Sequence, residues 1–258
     1  MGESELVTNN ILLIFKELRQ TYGFTSLVHT NMKQKFGKLI SLEGMDGCGK
    51  STAREYLVKA FERANLSVVG TYEVGGTPIG KQLRNIAFTK RDDETLTPLA
   101  RLLLIYAARL QHIEEVISPA ILAGKHVITD RYNDTTQVYQ GKLDKLEEQM
   151  RVMESTYPLR KLAMRADVTI YFKIDTDVAF NRGNKRSNVD NDVYKKDLGK
   201  ANQINAQYDT ILMGYKKKNP AAIYVVDANQ DQDGVNKQLD AFVEMFIGLV
   251  QVGDTLVE

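Results

Sequence analysis

A glycine-rich segment that ends in lysine and serine has the residue types that bind phosphate groups. Residues 44–51 read GMDGCGKS and satisfy the pattern G-x-x-x-x-G-K-[ST]. Glycines allow consecutive backbone N–H groups to converge on phosphate oxygens at a helix N-terminus, where the helix dipole also favours anions. Lys50 would reach the β- and γ-phosphates of a nucleotide, and the Ser51 hydroxyl would hold Mg²⁺. The pattern predicts ATP, or another nucleoside triphosphate, as a ligand.

The surroundings of this segment support its assignment as a phosphate-binding loop. An apolar run at 39–42 precedes it and a stretch with helical apolar spacing follows it, as the motif requires. A switch GTPase uses the same loop, but its guanine signature N-K-x-D is not completed here, because residues 184–187 read NKRS. The predicted nucleotide-binding residues are Gly44, Gly47, Cys48, Gly49, Lys50, Ser51 and Thr52, with Cys48 contributing its backbone N–H.

A second charged position follows the apolar run at 126–130. That run ends in Asp130, and Arg131 comes next. An aspartate at the end of a strand beside a phosphate loop is placed to support Mg²⁺ through water, and an adjacent arginine can bind a second phosphate with two N–H groups. A salt bridge at the end of the strand would explain the same two residues, so both interpretations stay open at this point.

The elements that must position these residues alternate along the chain from residue 36 onward. We predict strands near 38–43, 67–72, 126–130, 167–174 and 222–227, and helices near 50–64, 78–88, 97–123, 142–155, 176–183, 190–215 and 234–250. This alternation implies right-handed crossovers and a parallel sheet with helices on both faces. The predicted fold class is α/β, a three-layer α/β/α P-loop NTPase with a five-stranded parallel sheet, plus an extra N-terminal helix near 5–22.

The composition excludes several classes of protein. The 258 residues carry a formal net charge of +1 at pH 7, too little for a dedicated duplex-DNA binder, so we expect no polymeric nucleic acid as partner. Cys48 is the only cysteine, which rules out an intramolecular disulfide and favours a reducing, cytoplasmic setting. No apolar run approaches the roughly 20 residues that a membrane span needs, so we expect no membrane partner.

Four blocks of the chain resemble the thymidylate kinases of the P-loop nucleoside-monophosphate kinase group. These blocks are residues 42–52 (LEGMDGCGKST), 75–80 (GGTPIG), 106–111 (YAARLQ) and 130–141 (DRYNDTTQVYQG). The resemblance spans about residues 37–250 and leaves out the first helix. It implies Mg²⁺-dependent transfer of the γ-phosphoryl group of ATP to a pyrimidine deoxynucleoside 5′-monophosphate, with dTMP as the expected acceptor and dTDP as the product, in deoxynucleotide biosynthesis.

The resemblance also implies a role for each residue of the acceptor site. Arg131 would bind the acceptor 5′-phosphate, and Arg109 would meet the pyrimidine edge. Asp46 would hold the sugar 3′-OH and lie near the metal, for which Ser51 and Asp130 are the predicted ligands. The residues that would read the base and crowd the 2′ position of the sugar are Thr136, Gln137 and Tyr139.

A basic, polar segment at 182–200 resembles the lid of the same family. A cation must neutralise the moving phosphoryl group, and Gly47 stands where some family members place an arginine. We therefore expect the lid to supply that cation, although composition alone would fit a solvated loop. The predicted catalytic residues are Lys50, Asp46, Arg131, Arg182 and Arg186. The chain then divides into an N-terminal helical extension at 1–36 and a P-loop kinase domain at 37–258 that contains the lid.

Two positions depart from the family pattern and leave alternatives open. Tyr72 stands where the family has a phosphate-contacting arginine, and Ile105 stands where the family stacks a phenylalanine on the base. The acceptor could therefore be a 5-substituted dUMP or another molecule. A non-catalytic nucleotide-binding module is the alternative from a different class, and it would have no need of a second phosphate and base pocket. Family analogy also predicts a homodimer.

Overall fold

The chain forms a parallel sheet surrounded by helices. The computed structural model describes residues 36–89, 91–156, 159–184 and 197–255. The strands are β1 Leu39–Glu43, β2 Val68–Tyr72, β3 His126–Asp130, β4 Val168–Lys173 and β5 Ile223–Asp227. The α-helices are α1 Lys50–Arg63, α2 Pro78–Phe88, α3 Pro98–His112, α4 Ser118–Leu122, α5 Asn133–Thr136, α6 Glu147–Ser155, α7 Thr176–Asn184, α8 Leu198–Lys218 and α9 Gln232–Thr255.

The strand order explains why two distant sequence segments meet. Within the described ranges the sheet has five strands in the order β2-β3-β1-β4-β5, and every neighbouring pair is parallel. β1 and β3 are buried along their whole length, as expected for strands covered on both faces. This confirms the predicted P-loop NTPase fold. The register places Leu42 beside Asp130, so β1 and β3 end side by side.

Helices α1 and α9 pack together against the beginning of β3. The rings of Phe61 and Phe246 lie 5.2 Å apart, and His126 meets Phe246 edge-on at 5.0 Å. Burying each such apolar side chain stabilises the fold by about 1.5–3 kcal/mol. This packing fixes α1, the helix that follows the glycine-rich loop.

Three helices differ clearly from their predicted bounds. The helix predicted at 190–215 begins at Leu198, where the Asp197 side chain caps it, and continues to Lys218. The helix predicted at 97–123 is interrupted by a π-helical turn at Ile113–Ile117, just before Pro119, which has no N–H to donate to the preceding turn. The helix predicted at 142–155 begins at Glu147, because α5 and a second π-helical segment, Gln137–Leu143, occupy the chain before it.

One prediction lies wholly and another largely outside the described residues. They are the N-terminal helix near 5–22 and most of the lid at 182–200. Among the helices that the structure describes, none combines the length and the apolar character that crossing a membrane requires.

Candidate active site

The loop between β1 and α1 has a backbone that only glycine adopts easily. Gly44, Gly47 and Gly49 have φ angles of 146°, 85° and 96°. A Cβ on Gly44 would lie 2.9 Å from the carbonyl oxygen of Phe172, so a larger residue would also collide with β4. No described side chain caps the N-terminus of α1, whereas Thr77 caps α2 with its hydroxyl. The first N–H groups of α1 are therefore available to phosphate oxygens.

Lys50 is buried and lies against this loop. Its Nζ donates to the carbonyl oxygens of Gly44 at 2.9 Å and Met45 at 2.8 Å, and it lies 3.4 Å from the Sγ of Cys48. Cys48 is buried, so its thiol serves packing within the loop. The structure thus brings the predicted nucleotide-binding residues together with the ammonium group held among them.

Ser51 and Asp130 form a direct contact at the end of the sheet. The Ser51 hydroxyl donates to Oδ2 of Asp130 at 2.7 Å. The other carboxylate oxygen of Asp130 is buried and has no hydrogen-bond partner among the described residues. A hydroxyl and a carboxylate with one oxygen free suit Mg²⁺, which takes few protein ligands and keeps water and phosphate oxygens in its shell. The described side chains contain no group of three or more His, Cys, Asp or Glu arranged to hold a metal, so nucleotide phosphates would complete the shell.

Arg131 is fixed beside the loop by three side chains. Nη2 donates to Oδ1 of Asp46 at 2.6 Å, and Nη1 donates to the hydroxyls of Tyr208 at 2.9 Å and Thr135 at 3.2 Å. Its backbone has a φ of 70°, a strained conformation for a residue with a side chain. Burial would lower the pKa of Arg131, but the Asp46 carboxylate holds it well above its ordinary value. The guanidinium is therefore charged and its direction is set.

Glu43, the last residue of β1, binds the turn that follows β3. It is completely buried, and it accepts hydrogen bonds from the Tyr132 N–H at 2.7 Å and the Thr135 hydroxyl at 2.6 Å. Burial raises the pKa of Glu43, and the bond from Thr135 and the charge of Arg131 oppose that rise. The sequence analysis missed Glu43, Thr135 and Tyr208. A carboxylate that ends an apolar strand was an available signal for Glu43, whereas nothing in the sequence pointed to Tyr208.

Arg109 lies in a second buried network, on α3. Its Nε donates to Oε2 of Glu73 at 2.7 Å, and its Nη2 donates to the Thr136 hydroxyl at 2.7 Å. Glu73 also meets Nδ1 of His112 at 3.1 Å. Burial alone would raise the pKa of Glu73, but Arg109 and His112 together hold it below its ordinary value. The structure thus pairs Arg109 with Thr136, and it adds Glu73 and His112, which the sequence analysis missed.

A cavity of about 380 Å³ connects the loop with Arg131. Lys50, Ser51 and Asp130 contribute to its lining, as do Arg54 and Arg84, which the sequence analysis missed. Tyr72 lies in the same wall, with the guanidinium carbon of Arg54 5.9 Å from its ring centre. Tyr72, which replaces the arginine expected at this position, therefore lines the cavity together with two other arginines.

The predicted base-reading residues do not line this cavity, and neither does Arg109. Gln137 and Tyr139 belong to the second π-helical segment, directly after Thr136. The guanidinium carbon of Arg131 stands 5.7 Å from the centre of the Tyr139 ring. Tyr139 therefore lies close to Arg131, and Thr136, just before the π-helical segment, is hydrogen-bonded to Arg109.

Of the two predicted lid arginines, the structure describes one. Arg182 donates to the carbonyl oxygens of Ala228 at 2.6 Å, Gln230 at 3.2 Å and Asn229 at 3.3 Å. Its guanidinium is therefore bound to the loop that follows β5, and the structure does not bring it to the cavity. Arg186 lies outside the described residues.

The fold and the loop together define a class of protein. A parallel sheet, a glycine loop with lysine and serine between β1 and α1, and an aspartate at the end of the neighbouring strand are the features of a P-loop NTPase.

Comparison with known proteins narrows this class. The sequence model of the family described as thymidylate kinase matches residues 42–239. Thymidylate kinase from Legionella pneumophila (strain Paris) is 34% identical over 216 residues, which cover 84% of this chain and 98% of the relative. Thymidylate kinase from Pseudomonas fluorescens (strain Pf0-1) is 33% identical over 213 residues, with 83% and 98% covered. The chain belongs to the thymidylate kinase family.

Proposed function

We propose that the chain transfers the γ-phosphoryl group of ATP to the 5′-phosphate of dTMP, producing ADP and dTDP. An oxygen of the dTMP phosphate forms the new bond to the γ-phosphorus while the bond from that phosphorus to the β–γ bridging oxygen breaks. The observation that carries this proposal is the cavity, which is lined both by Lys50 of the glycine-rich loop and by Arg131, the candidate for binding a second phosphate group. A site for two phosphate groups is what a transfer between two nucleotides requires.

The donor half consists of the loop and the first turn of α1. The loop amides and Lys50 bind the phosphates of ATP. Lys50 would then exchange its hydrogen bonds to the carbonyl oxygens of Gly44 and Met45 for bonds to phosphate oxygens. Ser51 and Asp130 are the residues that would hold Mg²⁺, which neutralises phosphate charge when it is bound.

The acceptor half is organised around two arginines, of which Arg109 is buried and Arg131 is partly exposed. Arg131 binds the 5′-phosphate, and Asp46, bonded to it, takes the sugar 3′-OH. Arg109 binds the pyrimidine edge, and Glu73 balances its charge, so the site needs no charged base. The remaining acceptor-binding residues that we propose are Thr136, Gln137 and Tyr139.

The segment at 182–200 is proposed as a lid that brings a cation to the transferred phosphoryl group and excludes water. Arg182 and Arg186 are its candidate cations. Because Arg182 donates to three carbonyl groups of the loop after β5, it would have to exchange these acceptors for phosphate oxygens.

A coupled assay of ADP release tests the function. The panel contains dTMP, dUMP, 5-substituted dUMPs, dCMP and the purine deoxynucleoside monophosphates, each with ATP and Mg²⁺. We expect the highest kcat/KM for dTMP and almost no ADP without an acceptor. A 5-substituted dUMP preferred over dTMP would support the alternative acceptor. ATP binding without stimulation by any monophosphate would support a binding module and contradict the proposed function.

We further propose a homodimer in the cytoplasm. Exposed apolar side chains on α2 and α3 support the dimer, because Ile79 is 52%, Ile86 44%, Leu99 41% and Leu103 50% exposed. A single, buried cysteine is consistent with a reducing compartment.

Light scattering after gel filtration tests the dimer by measuring its mass. The proposed division into a 1–36 extension and a 37–258 kinase domain is tested by removing residues 1–36 and measuring activity.

A further inference from the structure

Tyr208, on α8, contacts Arg131, the residue that we propose binds the acceptor phosphate, although the two are 77 positions apart in the sequence. Its side chain is completely buried, stacked on the Tyr171 ring with centres 6.5 Å apart and edge-on to the Tyr139 ring at 6.4 Å. Burial raises the pKa of Tyr208 well above its ordinary value, so the hydroxyl keeps its proton. The hydroxyl touches Arg131 at 2.9 Å and Thr135 at 2.8 Å.

The donors and acceptors around this hydroxyl can be arranged in only one order. Thr135 gives its single proton to Glu43, so it can only accept from Tyr208. Tyr208 therefore donates to Thr135 and accepts from Nη1 of Arg131, which has no other role than donor. The relay runs from Arg131 through Tyr208 and Thr135 to the buried carboxylate of Glu43. Each proton in it has an acceptor, so it is directional and fully satisfied.

We propose that Tyr208 is a positioning residue for the acceptor phosphate, because its hydroxyl holds the Arg131 guanidinium in the direction in which it binds that phosphate. This inference rests on the proposed function for the role of Arg131. Tyr208 does not itself line the cavity, and it acts through Arg131, which does.

The need for such a residue follows from the other contacts of Arg131. Asp46 binds Nη2 at 2.6 Å and pulls the guanidinium towards the loop, whereas Thr135 accepts from Nη1 at the longer distance of 3.2 Å. Without the Tyr208 hydroxyl, one N–H of a charged, largely buried group would lose its nearer acceptor. The guanidinium would then reorient, and dTMP would have to restore its direction on binding.

The test compares two tyrosine-to-phenylalanine variants. Tyr208→Phe keeps the ring and removes only the hydroxyl. Tyr171→Phe is the matched control, because Tyr171 is equally buried and its ring stacks on that of Tyr208, while its hydroxyl donates to Asp209 at 2.9 Å. We expect Tyr208→Phe to raise the dTMP KM about tenfold, the effect of losing a hydrogen bond to a charged group, with the KM for ATP unchanged. Tyr171→Phe should keep the wild-type dTMP KM.

A measurement without turnover separates this inference from the proposed function. In protein labelled with ¹⁵N-arginine, the Nη signals of Arg131, assigned by their loss in Arg131→Lys, report hindered rotation of the guanidinium. We expect the Tyr208→Phe variant to rotate faster, and Tyr171→Phe to match the wild type. If wild-type protein fails to phosphorylate dTMP, the function is wrong, and the NMR comparison still decides the positioning. Equal dTMP KM values, or equal Nη signals, in wild type and Tyr208→Phe would overturn the inference.

Discussion

Replacing Glu73 by glutamine removes the charge that balances Arg109 without changing the shape of the side chain. The side chains of Arg109 and Glu73 are 1% and 4% exposed, and their N–O distance is 2.7 Å. In the variant, the guanidinium keeps its positive charge in a nearly dry site. Glutamine can still accept one of the hydrogen bonds but supplies no negative charge.

The expected loss of stability follows from this burial. Removing one partner of a buried ion pair costs about 3–5 kcal/mol, because the other charge is left uncompensated. Glutamine retains one acceptor oxygen, so we expect about 3 kcal/mol, at the lower end of that range. In a domain of this size about 1 kcal/mol moves the thermal midpoint by about 2–4 °C, which gives a fall of about 6–12 °C.

Differential scanning fluorimetry at pH 7 measures this shift against two further variants. Glu148→Gln breaks an exposed ion pair with Arg151 and should leave the midpoint unchanged. The double variant Glu73→Gln with Arg109→Gln removes both charges and should recover most of the midpoint while losing dTMP affinity. If Glu73→Gln has the same thermal midpoint as the wild type, the buried charge pair does not contribute the stability assigned to it.

Three further predictions concern pH, metal and assembly. Because the pKa of Glu73 is lowered in the folded state, the unfolded chain takes up its proton first, so wild-type stability should fall as the pH drops below about 4.5. Glu73→Gln should show a shallower fall in urea titrations over that range, and equal slopes would contradict the shift. Asp130→Asn should raise the Mg²⁺ concentration that gives the half-maximal rate at least about tenfold. An unchanged Mg²⁺ concentration would contradict the role of Asp130 in holding the metal. Leu103→Glu should halve the mass measured by light scattering, and a dimer that persists would place the interface elsewhere.

The residues that we propose for the donor half could be grouped from the sequence because they are local. The glycines, Lys50 and Ser51 lie within one strand, loop and helix, and positive φ angles at the glycines are a property of the residue type. The strand bounds also followed from short apolar runs. The interruption of the helix after His112 did not, because one π-helical turn is too short to stand out in a spacing pattern that extends over several helical turns.

The proposed acceptor half depends on contacts between distant segments. Arg131 meets Asp46 from 85 positions away and Tyr208 from 77 positions away. A hydroxyl on a long helix looks the same in the sequence whether it faces solvent or a guanidinium. Its role depends on which helix returns over the end of β3, and composition and spacing do not specify that.

The sequence by itself determined the class of fold, the phosphate-binding loop and the aspartate that ends β3, since each depends on neighbouring residues and on local backbone preference. The tertiary structure alone decided that Glu73 balances Arg109 and that Glu43, Thr135 and Tyr208 direct Arg131. The physical reason is burial: a charge removed from water must find its partners in space, and the parallel strand order brings those partners together from separate parts of the chain.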